Sequence, residues 1–286
     1  MREFVYEVPA EDDGMLLQDY LKCRQGYSKR LVIDLKRGGI SVNGEHRRMV
    51  DSVRGGDIIR ISLGEQDETN LIPNPDLKAE ILYEDEDVVA FDKPADMSVH
   101  PCALYYNDTL GNLFAARYPG MTFRPLYRLD RDTTGILVSA KNTLAAGILM
   151  GHLEKTYYAV AEGILEDDEG TVDAPLIRVP GSIITRKVDP AGQRAVTHYK
   201  VLKRSESHTL LALKLETGRT HQIRVHLAYL GHPLAGDTLY GGHDDLIGRQ
   251  ALHCGELLLP ALPGREKMIL RSPLPEDMQK LLENRP

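Results

Sequence analysis

Alternating apolar and polar positions predict a small first unit in which strands flank a helix. Arg2–Val8 alternates with the two-residue period of a β-strand, and Gly14–Cys23 has helical spacing. Ser28 is a favourable N-cap for a second helix, which runs to Arg37 and ends at two glycines. The other expected strands are Ile40–Val42, a partner after the hairpin signal Asn43-Gly44, and Ile58–Leu63.

From Ala79 onward, strands and helices mix without the regular alternation of doubly wound proteins, which favours an α+β domain. Residues 64–78 are polar, acidic and proline-containing, and we interpret them as a linker. The expected strands are Val88–Asp92, Ile136–Ala140, Thr156–Gly163, Thr197–Leu202, Thr209–Leu215 and Leu252–Leu259. The expected helices are Thr109–Tyr118, Asn142–Leu153, Thr220–Leu230 with Thr220 as its cap, and Pro275–Glu283.

Charge is distributed unevenly over the 286 residues, although the net charge is −7. Residues 14–63 hold ten Lys/Arg against five Asp/Glu, and residues 64–87 hold one against nine. In the second helix, Lys29 with Lys36 and Arg30 with Arg37 return to the same side after two turns. A compact basic block next to an acidic stretch is typical of a module that binds RNA, although a solvated surface would give the same counts.

Several common classes of protein lack their signatures here. The sequence contains no GxGxxG, no GxxxxGK, no HExxH and no GxSxG, so no nucleotide cofactor or metal is expected. The three cysteines are far apart and form no CxxC, so neither a set of disulfides nor a zinc site is indicated. This cysteine content fits a protein of the reducing cytoplasm. No apolar run reaches the ~18 residues of a membrane span. His221 and His226 lie five residues apart, which suits packing or hydrogen bonding better than metal binding.

Three polar segments are candidates for chemistry or for anion binding. The turn that contains Asp130 interrupts two apolar stretches, and its carboxylate is either a nucleophile or base or a turn residue that bonds its own backbone. Arg219 and Arg224 flank the start of a predicted helix, where they either face an anion or form a surface pair. Residues 178–204, which include Arg186 and Lys187, hold seven basic residues and one acidic residue, and we predict a mobile loop that grips RNA.

Long stretches of the chain resemble the RluA-type pseudouridine synthases. The residues YRLD at 127–130 and TTGILV at 133–138 are similar to the signature HRLDxxTSGLLV of that family, with Tyr127 in place of histidine and Thr134-Gly135-Ile136 in place of Ser-Gly-Leu. The resemblance continues in KTYYAVAEG at 155–163, TGRTHQIRVHL at 217–227, GHPLAGD at 231–237 and RQALH at 249–253. Residues 1–63 resemble the S-four-type RNA-binding domain that often precedes this catalytic domain.

This resemblance implies an organisation and an activity. Residues 1–63 would be the S-four-type domain, 64–78 the linker, and 79–286 a catalytic domain with a mixed, largely antiparallel central sheet. The chain would isomerise specific uridines to pseudouridine in structured RNA, with ribosomal RNA as the first expectation and transfer RNA as the second. The reaction gains and loses no atoms and involves no redox change, so it needs no cofactor.

The resemblance also assigns residues. Asp130 would be the nucleophile or base, Arg224 its partner, Tyr157 the aromatic group that packs on the base, and Arg128 an RNA contact during base flipping. Further RNA contacts are expected from basic side chains at Lys29, Arg30, Lys36, Arg37, Arg186, Lys187 and Arg219.

Two other functions fit the residue pattern. An RNA-binding protein without activity would use the basic helix alone, and a hydrolase with an aspartate nucleophile would release free uracil or sugar. We expect a monomer that acts on structured RNA in the cytoplasm, away from membranes.

Overall fold

A computed structural model describes residues 2–64, 70–102 and 105–283, which form two sheets and a separate hairpin. The strands are β1 (Glu3–Glu7), β2 (Ile40–Val42), β3 (Ile58–Ser62), β4 (Glu80–Glu84), β5 (Val88–Lys93), β6 (Arg124–Pro125), β7 (Thr134–Ala140), β8 (Glu154–Glu162), β9 (Glu169–Asp173), β10 (Leu176–Arg178), β11 (Arg186–Val188), β12 (Val196–Arg204), β13 (His208–Leu215), β14 (Leu252–Leu259) and β15 (Met268–Arg271). The helices are α1 (Leu17–Asp19), continued by a π-helical turn over Tyr20–Arg24, α2 (Lys29–Leu35), α3 (Leu110–Arg117), α4 (Thr143–Leu149), α5 (Gln222–Tyr229) and α6 (Glu276–Lys280).

The first sheet is antiparallel, with the order β1-β3-β2. Ser28 caps α2 as expected, because its hydroxyl accepts from the Leu31 amide at 3.2 Å. The expected partner strand after Asn43-Gly44 was wrong: residues 45–57, all of them described, contain no strand, and only an isolated bridge joins Val42 to Glu45. Residues 45–48 are consecutive exposed polar residues that offer no apolar face, and β3 pairs with β2 instead.

The large sheet contains ten strands in the order β4-β5-β7-β14-β8-β13-β12-β9, with β15 beside β14 and β6 beside β7. Its pairs are antiparallel except for β7 and β14, so the α+β class with a mixed, largely antiparallel sheet is confirmed. Gly135 lies at the parallel pair with φ +104°, and a Cβ there would overlap the Cys254 carbonyl oxygen. Only glycine permits this approach of β14 to the start of β7.

The basic stretch at 178–204 is not the mobile loop that we expected. Most of it is ordered as the antiparallel hairpin β10–β11 and as β12. Leu176 and Val188 face one another in the hairpin and pack with Val225 of α5. Charge and glycine content suggested a loop, whereas this small apolar cluster holds the segment against the protein.

Direct packing joins the first sheet to the large one. Gly147 of α4 lies so close to Leu31 of α2 that a Cβ would come within 2.6 Å of the leucine, and the Ser28 amide donates to the Gly147 carbonyl at 3.2 Å. Arg2 donates through Nε and Nη2 to the buried Asp87 carboxylate at 2.9 and 3.0 Å. Buried residues of both parts therefore belong to one apolar cluster.

The described part of the predicted linker, residues 64 and 70–78, contains no helix or strand. Residues 70–78 lie against α3: the Asn112 amide donates to the Ile72 carbonyl at 2.8 Å, and the Asn74 amide donates to the Asn112 carbonyl at 3.1 Å. The other linker residues, 65–69, are outside the described ranges.

Candidate active site

The Arg-Leu-Asp segment forms the loop that joins β6 to β7. Leu129 is buried, and the Thr133 amide donates to the Asp130 carbonyl oxygen at 3.1 Å, which closes a tight turn. The Asp130 side chain keeps 28% of its surface exposed and contacts α5 rather than its own backbone. The loop therefore presents a carboxylate at the surface, as a nucleophile or base requires.

Arg224 projects from α5 between two carboxylates. Its Nε and Nη2 donate to Asp237 at 2.7 and 2.8 Å, the two-bond geometry of strong arginine–carboxylate pairs. Its Nη1 lies 3.4 Å from Asp130 Oδ2. Burial alone would lower the pKa of Arg224, but the hydrogen bonds and charge of Asp237, followed by the charge of Asp130, outweigh it and raise that pKa. Arg224 is thus a permanent cation, and its principal partner is Asp237.

The nitrogen atoms near Asp130 approach the same carboxylate oxygen. Arg224 Nη1 lies 3.4 Å from Oδ2, and His221 Nε2 lies 3.9 Å from it. Within the described residues, Oδ1 accepts no hydrogen bond. One oxygen of Asp130 is therefore held from α5, and the other is open to a reactant.

Tyr157 extends from β8 into the same cleft and is 6% exposed. Burial raises the pKa of its phenol well above the ordinary value, and Asp130 adds to the increase. The phenol is therefore neutral at physiological pH, so it can pack against a base and exchange a proton through its oxygen.

Tyr127, which replaces the histidine of the related signature, ties the Asp130 loop to β7. Its hydroxyl donates to the Ile136 carbonyl oxygen at 2.6 Å. The Lys155 ammonium lies 4.6 Å from the centre of its ring, a cation–π contact. Burial raises the pKa of Tyr127 well above its ordinary value, so its hydroxyl keeps the proton that makes the bond to Ile136.

Asp130 and Tyr157 line a cleft of about 1100 Å³. Three of the predicted RNA contacts also line it, namely Arg128, Arg186 and Arg219. Lys187 does not: it is exposed and forms an ion pair with Asp189 at 2.8 Å. The cleft therefore combines the Asp130 carboxylate with several arginine side chains.

The tip of the β10–β11 hairpin also borders this cleft. Ile183 and Ile184 are 80% and 53% exposed, unusual for large apolar side chains, and both line the cleft. Neither isoleucine was predicted as part of the site, because the basic residues of this segment suggested only contacts with phosphates. The hairpin thus offers apolar and basic side chains together.

Lys93, at the end of β5, was also missed. Its side chain is fully buried, and its ammonium donates to the carbonyl oxygens of Pro94, Met97 and Arg131 at 2.7, 2.9 and 2.8 Å. Burial lowers the pKa of Lys93 to about 7, although Asp132 and Asp130 oppose the shift. Because Arg131 follows Asp130 directly, Lys93 helps to fix the loop that carries Asp130.

Helix α5 begins one residue later than expected. Thr220 is not its cap; His221 takes that position with left-handed backbone angles, φ 57° and ψ 19°. The Gln222 side-chain oxygen accepts from the Thr217 hydroxyl at 2.8 Å and from the Arg219 amide at 3.0 Å. These bonds keep residues 217–220 out of the helix. His226, by contrast, is buried and bonds Thr197 and Ala174, as expected for a packing histidine.

The basic side chains of α2, which ends at Leu35 rather than at the expected Arg37, and of the two residues after it lie outside the cleft. All four are exposed, and none forms an ion pair within the described residues: Lys29, Arg30, Lys36 and Arg37. Their helix packs on α4, whose C-terminal end leads to Gly151 and Leu153 at the border of the cleft. The structure therefore places the helix that carries these charges against α4, outside the cleft.

The described parts of the chain contain neither a cluster of metal ligands nor a membrane-spanning helix. No group of three or more His, Cys, Asp or Glu side chains is arranged to hold a metal ion. No helix has both the length and the apolar character required to cross a bilayer.

Comparisons with known proteins agree with this architecture. A sequence model of the family described as RNA pseudouridylate synthase matches residues 87–229. The Bacillus subtilis protein named "Uncharacterized RNA pseudouridine synthase YjbO" is 42% identical over 269 residues, covering 90% of this chain and 95% of that protein. Ribosomal large subunit pseudouridine synthase D of Xanthomonas campestris is 37% identical over 276 residues, covering 88% and 83%.

A solved structure, human RNA pseudouridylate synthase domain containing 1, superposes with a TM-score of 0.59 at 28% identity, over 68% of this chain and 83% of that one. The family match at residues 87–229 includes all the residues that line the cleft. The chain therefore belongs to the RluA-type RNA pseudouridine synthases, isomerases that convert uridine to pseudouridine in RNA.

Proposed function

We propose that the chain modifies uridines of ribosomal RNA and that Asp130, Arg224 and Tyr157 form its catalytic centre. The observation that carries the residue assignment is the Asp130 carboxylate, held at Oδ2 by Arg224 and open at Oδ1. Relatives named ribosomal large subunit pseudouridine synthase D support ribosomal RNA as the substrate. Transfer RNA is the second candidate.

The reaction breaks the bond between ribose and the base nitrogen and forms a bond from ribose to carbon 5. It needs a carboxylate as nucleophile or base, and Asp130 supplies one whose Oδ2 lies 3.4 Å from the fixed positive charge of Arg224. It also needs a group that faces the detached base while the base turns. The neutral phenol of Tyr157 lies in position to do this, since it lines the same cleft as Asp130.

The target base has to leave its stack, because Asp130 lies inside a cleft that a duplex cannot enter. Arg128 is exposed two residues before Asp130, where it would contact the RNA as the base leaves. Arg186 and Arg219 at the border would hold flanking phosphates. Unpaired bases in loops of structured RNA meet these requirements with the smallest free-energy cost of unpairing and unstacking.

We further propose that residues 1–63 are an S-four-type RNA-binding domain and that residues 79–286 are the catalytic domain. All three proposed catalytic side chains come from one copy of the chain, so we expect a monomer to be active. We place the enzyme in the cytoplasm, where its three free cysteines would stay reduced.

The direct test is incubation of the purified protein with large-subunit ribosomal RNA transcribed in vitro. Isomerisation leaves the mass unchanged, so pseudouridine would be detected by mass spectrometry after a label that reacts selectively with it. We expect labelled residues at a few defined uridines, with transfer RNA transcripts as the comparison. Release of free uracil would indicate a hydrolase, and binding without labelled product would indicate an RNA-binding protein; either result contradicts the proposal.

The basic side chains of α2 and of the two residues that follow it should contribute to RNA affinity mainly through phosphates. In a fourfold glutamine variant, we expect weaker binding of a stem-loop transcript and a salt dependence of log affinity that is shallower by up to about 3, since each phosphate contact contributes ~0.9. Binding would be measured by fluorescence anisotropy across salt concentrations. The changed residues are Lys29, Arg30, Lys36 and Arg37.

The control neutralises four exposed basic residues that do not line the cleft, namely Lys200, Lys267, Arg271 and Lys280. Both variants lose four positive charges, so a difference between them reports the position of the charges and not the net charge. Equal slopes for the two fourfold variants would contradict a role for α2 in RNA binding.

A further inference from the structure

His221 adopts a backbone conformation that is costly for its residue type. Its φ is 57°, and within the described residues only Asn43 and Asp96 share a positive φ among residues other than glycine. Residues other than glycine adopt this conformation infrequently, and it is a source of backbone strain. Such strain persists where the surroundings hold the residue for another reason, and the side chain of His221 supplies one.

The imidazole is the middle member of a hydrogen-bonded chain. The Arg186 amide, on β11, donates to the Tyr240 hydroxyl oxygen at 3.0 Å. That hydroxyl lies 2.8 Å from His221 Nδ1, and the two rings meet edge to face at 81°. On the other side of the ring, Nε2 lies 3.9 Å from Asp130 Oδ2.

Both ends of the ring favour one tautomer. Since the Tyr240 oxygen accepts from Arg186, its own proton is available for His221 Nδ1. A lone pair on Nε2 would repel the Asp130 carboxylate, whereas an N–H there is attracted to it. The neutral imidazole therefore accepts at Nδ1 and presents its Nε2 proton to Asp130.

The charged groups that face the ring come from several elements. Asp130 and Asp237 favour the imidazolium, whereas Arg224 and Arg186 oppose it. Burial is the largest influence and lowers the pKa of His221 below its ordinary value. The ring is thus neutral near pH 7, in agreement with the tautomer that its neighbours select.

We propose that His221 is a positioning residue: its Nε2–H, anchored through Tyr240, holds Oδ2 of Asp130 so that Oδ1 faces the uridine. The separation of 3.9 Å is longer than a hydrogen bond, and such contacts shorten when substrate fills a site. The proposal rests on the proposed catalytic role of Asp130. It also makes the β10–β11 hairpin, through the Arg186 amide, part of the support of the carboxylate.

Two substitutions separate the contact with Asp130 from the rest of the side chain. Asparagine tolerates the left-handed conformation and places an amide near the position of Nδ1, so His221→Asn keeps the bond to Tyr240 but has no atom at Nε2. Glutamine reaches the position of Nε2 with an N–H donor, so His221→Gln restores the contact with Asp130.

We expect His221→Asn to lower kcat by about 10- to 100-fold, the effect of a catalytic group displaced by ~1 Å. KM for a large-subunit ribosomal RNA transcript should change less than about twofold, since the substitution affects the chemical step and not the binding of RNA. His221→Gln should keep kcat within about fivefold of the wild-type value. His243→Asn is the control, because His243 is exposed and its ring is bonded to Glu162.

The pH profile of kcat adds a readout that a loss of packing would not change. A carboxylate that loses a donor takes up its proton more readily, so the acidic limb of activity should move to higher pH in His221→Asn. In His221→Gln the limb should stay where it is in the wild type. Tyr240→Phe should show a shift in the same direction as His221→Asn, because it frees Nδ1.

A His221→Asn variant that keeps the wild-type kcat and the wild-type pH profile would overturn this proposal. Equal losses in the asparagine and glutamine variants, together with lower melting temperatures, would also overturn it, since they would indicate structural packing. Failure of the proposed function is distinguishable: it would appear as an inactive wild type or as an active Asp130→Asn variant, whatever the behaviour of His221.

Discussion

Asp130→Asn should reduce pseudouridine formation by about four orders of magnitude or more, the usual effect of removing an essential nucleophile. Asparagine keeps the shape of the side chain but cannot supply the negative charge. The fold should be preserved, because the Asp130 side chain is 28% exposed and Arg224 keeps its stronger bonds to Asp237. We expect a change in unfolding free energy of less than about 1 kcal/mol, as for other partly exposed pairs.

Single-turnover assays on a ribosomal RNA transcript would measure the activity, and urea denaturation would measure the stability. Asp132→Asn is the matched control, since Asp132 lies in the same loop and accepts from the Asp96 amide without lining the cleft. The control should retain most of the wild-type rate. Turnover by folded Asp130→Asn protein at a rate near that of the control would refute the assignment of Asp130.

Arg224→Met should lower both stability and activity. Methionine keeps the length of the side chain but leaves Asp237, which is 1% exposed, without its counter-ion. Loss of one partner of a buried pair costs about 3–5 kcal/mol. For a chain of this size, the melting temperature should fall by about 10 °C. Activity should fall as well, since Asp130 loses the cation beside Oδ2.

A double-mutant cycle identifies which carboxylate depends on Arg224. Asp237→Asn in the Arg224→Met background should restore most of the lost stability, because no uncompensated charge remains buried, but it should not restore activity. Asp130→Asn in that background should restore little, because Asp130 is partly exposed. If the two rescues were reversed, Asp130 would be the principal partner of Arg224, contrary to the geometry.

Local sequence patterns predicted most of the secondary structure. Leu252–Leu259 was predicted with the boundaries that the structure has, and Pro260 directly follows its last residue. Errors arose where a distant contact decides the local conformation. The start of α5 depends on the Gln222 side chain, and the order in the β10–β11 hairpin depends on packing against Val225.

In the candidate site, too, local motifs were predictive and contacts between distant residues were not. Motif similarity selected Asp130, Tyr157 and Arg224, which the fold brings into one region of the chain. Asp237 was within a quoted motif, but nothing in the sequence connects it to an arginine 13 residues earlier. Lys93 was missed, and for His221 only packing or hydrogen bonding was expected, without its partner, because their bonds reach residues that are distant in sequence. Pairing between side chains is a property of the fold that residue spacing does not encode.

The contact between α2 and α4 affects the thermodynamics of substrate capture. If the basic helix were tethered only by residues 64–78, each RNA molecule would have to immobilise it during binding, and that ordering would reduce the net affinity. Because Leu31 rests on Gly147 and Arg2 is bonded to Asp87, this loss of freedom occurs once, when the chain folds. An RNA molecule that contacts both parts would therefore meet a preorganised receptor, and the entropic cost of its association would be correspondingly small.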